Sequence, residues 1–292
     1  MATTEPRPEP VAILAAGGIV PFQVATAAAA AGGEVFVVGL DGVADERLKT
    51  FPFVALKWGQ LVRVPALVKE RGMHRVVMVG SVTQRPDFRS LGGIDLAMLK
   101  LLPRILKGTV GGDDTVLGNL LRWFEEEGLQ VVGAHEIAPN LVAEGGLVAG
   151  PRPSDAALAD ARVAMRVART IGELDIGQGA VVVNGLAVAV EAAEGTDAML
   201  ERAAHLHKIG RVKWQGRAGV LVKCAKPQQD LRIDMPTIGP KTVSGAVAAN
   251  LAGIVVEAGK VMIAEREATV KAAHDAGIFI FAATGDALRL EP

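Results

Sequence analysis

The sequence predicts an α/β protein in two parts: a doubly wound parallel-sheet domain over residues 1–146, then a mixed α+β domain over residues 152–292. Three observations lead there. In the first half, continuously apolar runs alternate with helical segments, the pattern of a parallel sheet covered on both faces. In the second half, apolar runs are joined by a hairpin signal and interleaved with helices. Between the halves lies "GGLVAGPRPSD", Gly145 to Asp155, rich in glycine and proline with little to bury, which reads as a linker.

The first run, "VAILAAGG", is a short buried strand ending in glycines. "PFQVATAAAAAGG" follows as an alanine-rich helix, with Pro21 in its first turn, where a missing N–H costs nothing, and Gly32–Gly33 as its stop. "EVFVVGL" is the next strand. "LVRVPALVKERG" leads into the strand "HRVVMVG", and "DTVLGNLLRWFEEEG" into "LQVVGA". This alternation is Rossmann-like. Beyond the linker, Ser154 caps the helix "DAALADARVAMRVARTIG". "AVVVNGLAVAVEA" is two strands joined at Asn184-Gly185, the strongest short hairpin signal. The helix "TDAMLERAAHLHKIG" takes Thr196 as its N-cap, with Glu194 and Asp197 at its positive end. After the strand "GVLVKC" come the helix "VSGAVAANLAG", the run "GIVVEAGKVMIA", the helix "REATVKAAHDAG" and the strand "IFIFAA".

Half of the 292 residues are hydrophobic and 22% are charged, a globular balance. The 31 basic and 32 acidic residues nearly cancel, which argues against a general nucleic-acid surface but not against a local anion site. A single cysteine, Cys224, excludes an intrachain disulfide and a multi-cysteine metal knuckle, and fits a reducing cytosol. The opening "MATTEPRPEP" lacks the basic region of a signal peptide. The apolar run after it is broken by Gly17, Gly18 and Pro21 and does not read as a membrane span. The expectation is a soluble protein whose membrane contact, if any, is peripheral.

Charge concentrates in "GVLVKCAKPQQDLRIDMPTIGPKT", Gly219 to Thr242. If this segment stays extended, Asp230, Arg232 and Asp234 project on one face and Leu231 and Ile233 on the other. Two carboxylates and an arginine so placed are not buried unpaired. On a solvated strand edge such charges discourage aggregation. In a site they suit a phosphorylated ligand: carboxylates hold a hard cation such as Mg²⁺, and lysine and arginine meet phosphate oxygens. Water activated between them then cleaves a phosphoester or phosphoanhydride. Edge strands seldom carry three prolines, here Pro227, Pro236 and Pro240, which favours the site. Further polar clusters are Asp175 to Gln178, Glu191 to Arg202, and Glu257. Singly, each is explained by turn or cap chemistry; together they flank strand ends of one domain.

The first half carries a competing pattern. "AAGGIVP" with Asp41 after the second strand echoes a dinucleotide-binding fingerprint, but G-x-G-x-x-G is absent. An NAD enzyme is disfavoured, while a glycine turn opening a helix still makes a phosphate or sugar site. His205 and His207 are two apart on a helix and face different directions, so they are poor co-ligands. Cys224 alternates with Val220 and Val222 and reads as a core thiol.

Taken together, "LDIGQ", "VEAAEGTDAMLER" and "LVKCAKPQQDLRIDMPTIGPKTV" resemble the LpxI-type UDP-2,3-diacylglucosamine pyrophosphatases. "ILAAGGIVP" resembles that family's opening, where a further glycine is expected and this chain has alanine. The resemblance implies a cytoplasmic, Mg²⁺-dependent hydrolase of lipid A biosynthesis in Gram-negative bacteria. It would split UDP-2,3-diacylglucosamine into UMP and 2,3-diacylglucosamine 1-phosphate, lipid X, with the substrate between an N-terminal and a C-terminal domain. Peripheral contact with the inner membrane is implied by the lipid substrate, and the apolar C-terminal strands offer a homodimer surface. The implied catalytic set is Asp230, Asp234, Lys223, Lys226, Arg232 and Gln229. The implied Mg²⁺ carboxylates are Asp230, Asp234, Glu191, Glu194 and Asp197. The substrate-binding candidates are Gly17, Gly18, Gln178, Thr196, Thr237, Gly239 and Thr242. Ala225, between Lys223 and Lys226, contributes no chemistry: either a small residue belongs there, or the chain binds its ligand without turnover. A non-catalytic nucleotide-lipid carrier and a metal-dependent hydrolase of another nucleotide sugar are the alternative readings.

Overall fold

A computed structural model of the chain describes residues 8–82, 101 and 113–284; the acidic opening through Arg7 lies outside the described residues. The chain divides into two compact units. One runs to Pro139 and takes in Asp230–Asp234; the other joins Asn140–Gln229 to the chain from Met235 onward.

In the N-terminal unit the strands are β1 (Val11–Ala15), β2 (Val35–Leu40), β3 (Phe53–Leu56), β4 (Arg75–Val79) and β5 (Gln130–Val131). They form one all-parallel sheet in the order β3-β2-β1-β4-β5. Every residue of β1 and β2 is buried, as strands covered on both faces require. The helices are α1 (Val20–Ala30), α2 (Val64–Lys69), α3 (Asp113–Glu126) and the short α4 (Ala134–Ile137). A 3₁₀ turn, Trp58–Arg63, precedes α2, because Pro65 can enter a helix only in its first turn. The core gathers Phe36, Val64, Val68, Met73, Phe124 and Val131.

The strand order reverses at β1, whose neighbours β2 and β4 lie on opposite sides, so a crevice opens at its carboxyl end. Gly17 and Gly18 stand there. The Gly17 N–H donates to the Ser81 carbonyl at 2.9 Å, and the Ser81 N–H returns a bond to the Gly17 carbonyl at 2.8 Å. Gly80 has φ +113°, and a Cβ there would come within 2.8 Å of the Gly17 carbonyl oxygen, so this corner needs glycine.

The C-terminal unit contains β6 (Gly146–Ala149), α5 (Asp155–Glu173), β7 (Gly179–Val183), β8 (Leu186–Val190), α6 (Gly195–Lys208) and β9 (Val220–Lys223). It continues with β10 (Thr237–Ile238), α7 (Pro240–Ala248), β11 (Gly253–Glu257), β12 (Met262–Ile263), α8 (Arg266–Ala276) and β13 (Phe279–Ala283). Its mixed sheet runs β6-β13-β11-β9-β7-β8, with β9, β11 and β13 parallel at the centre and antiparallel strands at both edges. The hairpin forms where Asn184-Gly185 places it, both residues having positive φ.

The expected linker is in fact an edge strand: Gly146–Ala149 pairs with β13. The glycine that follows it serves close packing rather than flexibility. Gly150 has φ +75°, and a Cβ there would fall 2.0 Å from the Ile278 carbonyl oxygen. Alternation along β9 then sorts two faces. Val220, Val222 and Cys224 pack with Ala157, Ala161 and Ala164 of α5. Leu221 faces the other way, among Met199 and Leu200 of α6 and Val243 of α7. Lys223, two residues on, belongs to that second face.

Candidate functional site

A cleft of about 350 Å³ opens in the C-terminal unit, lined by Glu191, Glu194, Gly195, Thr196, Asp197, Lys223, Thr237 and Thr242. Glu191 follows β8, Lys223 ends β9, Thr237 lies on β10, and the other residues belong to the first turns of α6 and α7 or to the α6 N-cap. The cleft thus sits at the carboxyl end of a parallel strand, where α/β sheets hold their ligands. Both helices present N-termini to it, each with backbone N–H groups that lack intrahelical partners and with the positive end of the helix dipole. Such ends are suited to anions.

Lys223 is the cation at the floor. Its side chain is 10% exposed and that of Glu191 8%, so neither charge is at ease without a partner. Lys223 Nζ donates to Thr196 Oγ1 at 2.6 Å, and Thr196 Oγ1 donates to Glu191 Oε1 at 2.7 Å. Glu191 Oε1 lies 4.0 Å from the ammonium. The rim is charged as well: Glu194 pairs with Arg202 at 2.8 Å and Asp197 with Lys241 at 3.0 Å, and the Asp197 carboxylate raises the Lys241 pKa. Thr242 Oγ1 accepts from the Gly239 N–H at 3.2 Å, closing the entry to α7. Thr237 donates to the Met235 carbonyl at 3.1 Å.

Seven sequence-predicted residues therefore share this cleft: Glu191, Glu194, Thr196, Asp197, Lys223, Thr237 and Thr242, with Gly239 capping α7. One local role changes. Thr196 is not the N-cap of α6; Glu194 holds that position and Gly195 begins the helix with φ +78°. The hydroxyl is turned to Lys223 and Glu191 instead, since a buried ammonium draws a stronger hydrogen bond than a backbone amide does.

The segment at 230–234 also departs from expectation. It is a turn, not an extended strand: the Ile233 and Asp234 N–H groups both donate to the Asp230 carbonyl at 3.1 Å. Asp230 accepts from the Arg232 N–H at 3.0 Å and from its guanidinium at 2.6 Å, which holds the Asp230 pKa below the ordinary carboxylate value and raises that of Arg232. Arg232 also reaches Glu125 of α3 at 3.1 Å, and Ile233 packs on the N-terminal core. Asp230, Arg232 and Asp234 thus belong to the N-terminal unit, with Gly17 and Gly18.

Lys226, Gln229 and Gln178 belong to the C-terminal unit but do not line the cleft. Lys226 is paired with Asp175 at 2.5 Å, and its N–H donates to Gln229 Oε1 at 3.0 Å, folding the chain after Cys224 into a turn. The Gln178 carbonyl accepts from the Cys224 N–H at 3.1 Å. Glu257, at the end of β11, is a structural carboxylate. It accepts from Lys260 at 2.9 Å, Arg169 at 3.4 Å and the Ala225 N–H at 3.2 Å. Ala225 is only 7% exposed, so a carboxylate there would add a second buried negative charge beside Glu257. Lys241 and Gly195 were not anticipated; "GPKT" and "EGT", each opening a helix, are the signals that mark them.

Among the described residues no three His, Cys, Asp or Glu side chains converge as a preformed metal cage. An ion held jointly by one or two carboxylates, phosphate oxygens and water needs no such cage, and Glu194 and Asp197 are cleft carboxylates of that kind.

Residues 10–141 match the LpxI N-terminal domain, and residues 144–281 match the LpxI C-terminal domain. The chain is also 41% identical, over 268 residues, to the UDP-2,3-diacylglucosamine pyrophosphatase LpxI of Caulobacter vibrioides, an alignment covering 92% of this chain and 95% of that one.

Proposed function

The chain belongs to the LpxI family, and on that premise we propose that it hydrolyses the pyrophosphate bond of UDP-2,3-diacylglucosamine. The products are UMP and 2,3-diacylglucosamine 1-phosphate, a reaction of lipid A biosynthesis. The observation that carries the reading is the match to the C. vibrioides pyrophosphatase along nearly the whole chain.

The cleft supports it chemically. A pyrophosphate diester carries two negative charges, and the charge on the departing phosphate grows as the anhydride bond breaks. The Lys223 ammonium and the first-turn N–H groups of α6 and α7 are donors already in place for that charge. Little protein reorganisation is then needed at the moment of reaction.

Mg²⁺ dependence is part of the proposal. Glu194 and Asp197 would hold the ion, their side chains being 29% and 48% exposed and paired only at the rim. When bound, Mg²⁺ supplies phosphate charge neutralisation and a more acidic water. We place the protein in the cytoplasm, in peripheral contact with the inner membrane that carries the acylated substrate. No described helix is long and apolar enough to cross a membrane.

The test is UMP release from UDP-2,3-diacylglucosamine by the full chain, with Mg²⁺ and with EDTA. Release with the metal and arrest with the chelator are expected. Undiminished release in EDTA would remove Mg²⁺ from the reading. Absence of release, with intact nucleotide lipid recovered on the purified protein, would make the chain a carrier.

A further inference from the structure

We propose that Glu191 and Thr196 are positioning residues that act through Lys223: they orient its ammonium toward the phosphates and leave its remaining donors to them. The inference rests on the phosphate-binding reading of the cleft and assigns these two residues a role other than metal ligand or substrate contact.

The direction of the chain of hydrogen bonds is forced. An ammonium only donates, so Thr196 Oγ1, 2.6 Å from Lys223 Nζ, is the acceptor there. The hydroxyl owns one proton, and that proton goes to Glu191 Oε1 at 2.7 Å. Lys223 thereby commits one of its three N–H groups inward and presents the others to the cleft that it lines. Glu191 stands too far from the ammonium, at 4.0 Å, for a direct hydrogen bond. Its effect on Lys223 passes through Thr196 and through charge.

Two glycines explain how Glu191 reaches this place. Its own N–H donates to the Gly179 carbonyl at 2.8 Å. A Cβ on Gly179 would sit 2.7 Å from Glu191 Oε2, and a Cβ on Gly177 would sit 2.1 Å from the Glu191 carbonyl oxygen. The "GQG" of residues 177–179 is therefore the space that the Glu191 backbone and carboxylate fill. Glu191 Oε2 is buried with no hydrogen-bond partner among the described residues. A cost of that kind is tolerated where the carboxylate is needed for its charge.

The experiment is a double-mutant cycle on the full chain. It uses Lys223→Met, Thr196→Val and the two combined, with Thr196→Ser and Glu191→Gln alongside. UMP release gives kcat and KM, and calorimetry with inorganic pyrophosphate gives anion affinity. Thr196→Val should lower kcat by about 30-fold, the order of one charge-assisted hydrogen bond. Thr196→Ser, which restores the hydroxyl, should recover most of that loss. In the Lys223→Met background, Thr196→Val should cost less than about twofold more, because the lysine it positions is gone. Losses that multiply in the double variant would overturn the inference, as would a folded Thr196→Val chain with unchanged kcat and pyrophosphate affinity. If the wild type releases no UMP, the pyrophosphate cycle decides instead: coupling there sustains the positioning role while the reaction assigned above falls.

Discussion

Cys224 and Lys223 are neighbours in the chain, and strand alternation sends them to opposite faces of one sheet with opposite consequences. Lys223 meets a hydroxyl and a carboxylate. Cys224 meets the alanines of α5, and burial, reinforced by the Glu257 carboxylate, pushes its thiol up from 9.0 to about 12. The sign for stability follows. The folded chain keeps the thiol protonated to about pH 12, whereas the unfolded chain releases the proton above its ordinary pKa of 9.0. The contribution is present below pH 9 and is lost as pH rises toward 12. The difference in unfolding free energy between wild type and Cys224→Ala should be flat below about pH 8. Above pH 9 it should fall toward a limiting slope of about 1.4 kcal/mol per pH unit. The chain has no tyrosine to titrate in that range. A difference curve that stays flat across it would mean the thiol is open to solvent.

At the scale of elements, what was legible in the sequence is what neighbours in the chain decide. Asn184-Gly185 needs positive φ at both positions, and Ser154 needs only the amide of Ala157 three residues on, so the hairpin and the α5 cap follow from local chemistry. The turn at 230–234 was illegible because its anchors are distant: Arg232 reaches Glu125, and Ile233 packs on a core more than a hundred residues away in sequence. The same holds for Thr196, an acceptable cap by type that a distant lysine recruits. Strand β6 was masked by Gly146 and by the glycines and prolines that flank it. Asp160, buried on α5, is another non-local device: its two oxygens accept the Asn184 and Gly185 N–H groups at 2.9 and 2.6 Å. The carboxylate thus ties the hairpin to the helix. Asp160→Ala should cost about 2 kcal/mol in denaturant titration. Asp160→Asn, which keeps one acceptor, should cost about half as much. Equal losses for the two would show that charge, rather than hydrogen-bond count, governs the contact.

At the scale of the whole molecule, each unit packs its own buried residues, which allows ligand binding to be felt unevenly. Every residue lining the cleft belongs to the C-terminal unit. A ligand that binds only the folded cleft stabilises the structure it touches by RT ln(1 + [L]/Kd), about 2.7 kcal/mol at a hundredfold excess over Kd. Inorganic pyrophosphate carries the charges that the cleft meets and lacks the nucleoside and the acylated sugar. In hydrogen exchange on the full chain it should therefore slow amides of β7, β9 and β11 by as much as about a hundredfold. The amides of β1, β2 and β4 should exchange as before. Protection rising equally in both sheets would show that the units unfold as one, and pyrophosphate would then report global stability instead of its own site. Protection confined to the first sheet would move the phosphate site out of the cleft, to the glycine crevice beside β1. The unequal response is expected because Lys223, Thr196 and Glu191 hang from β9, the first turn of α6 and the end of β8, elements that share a single core.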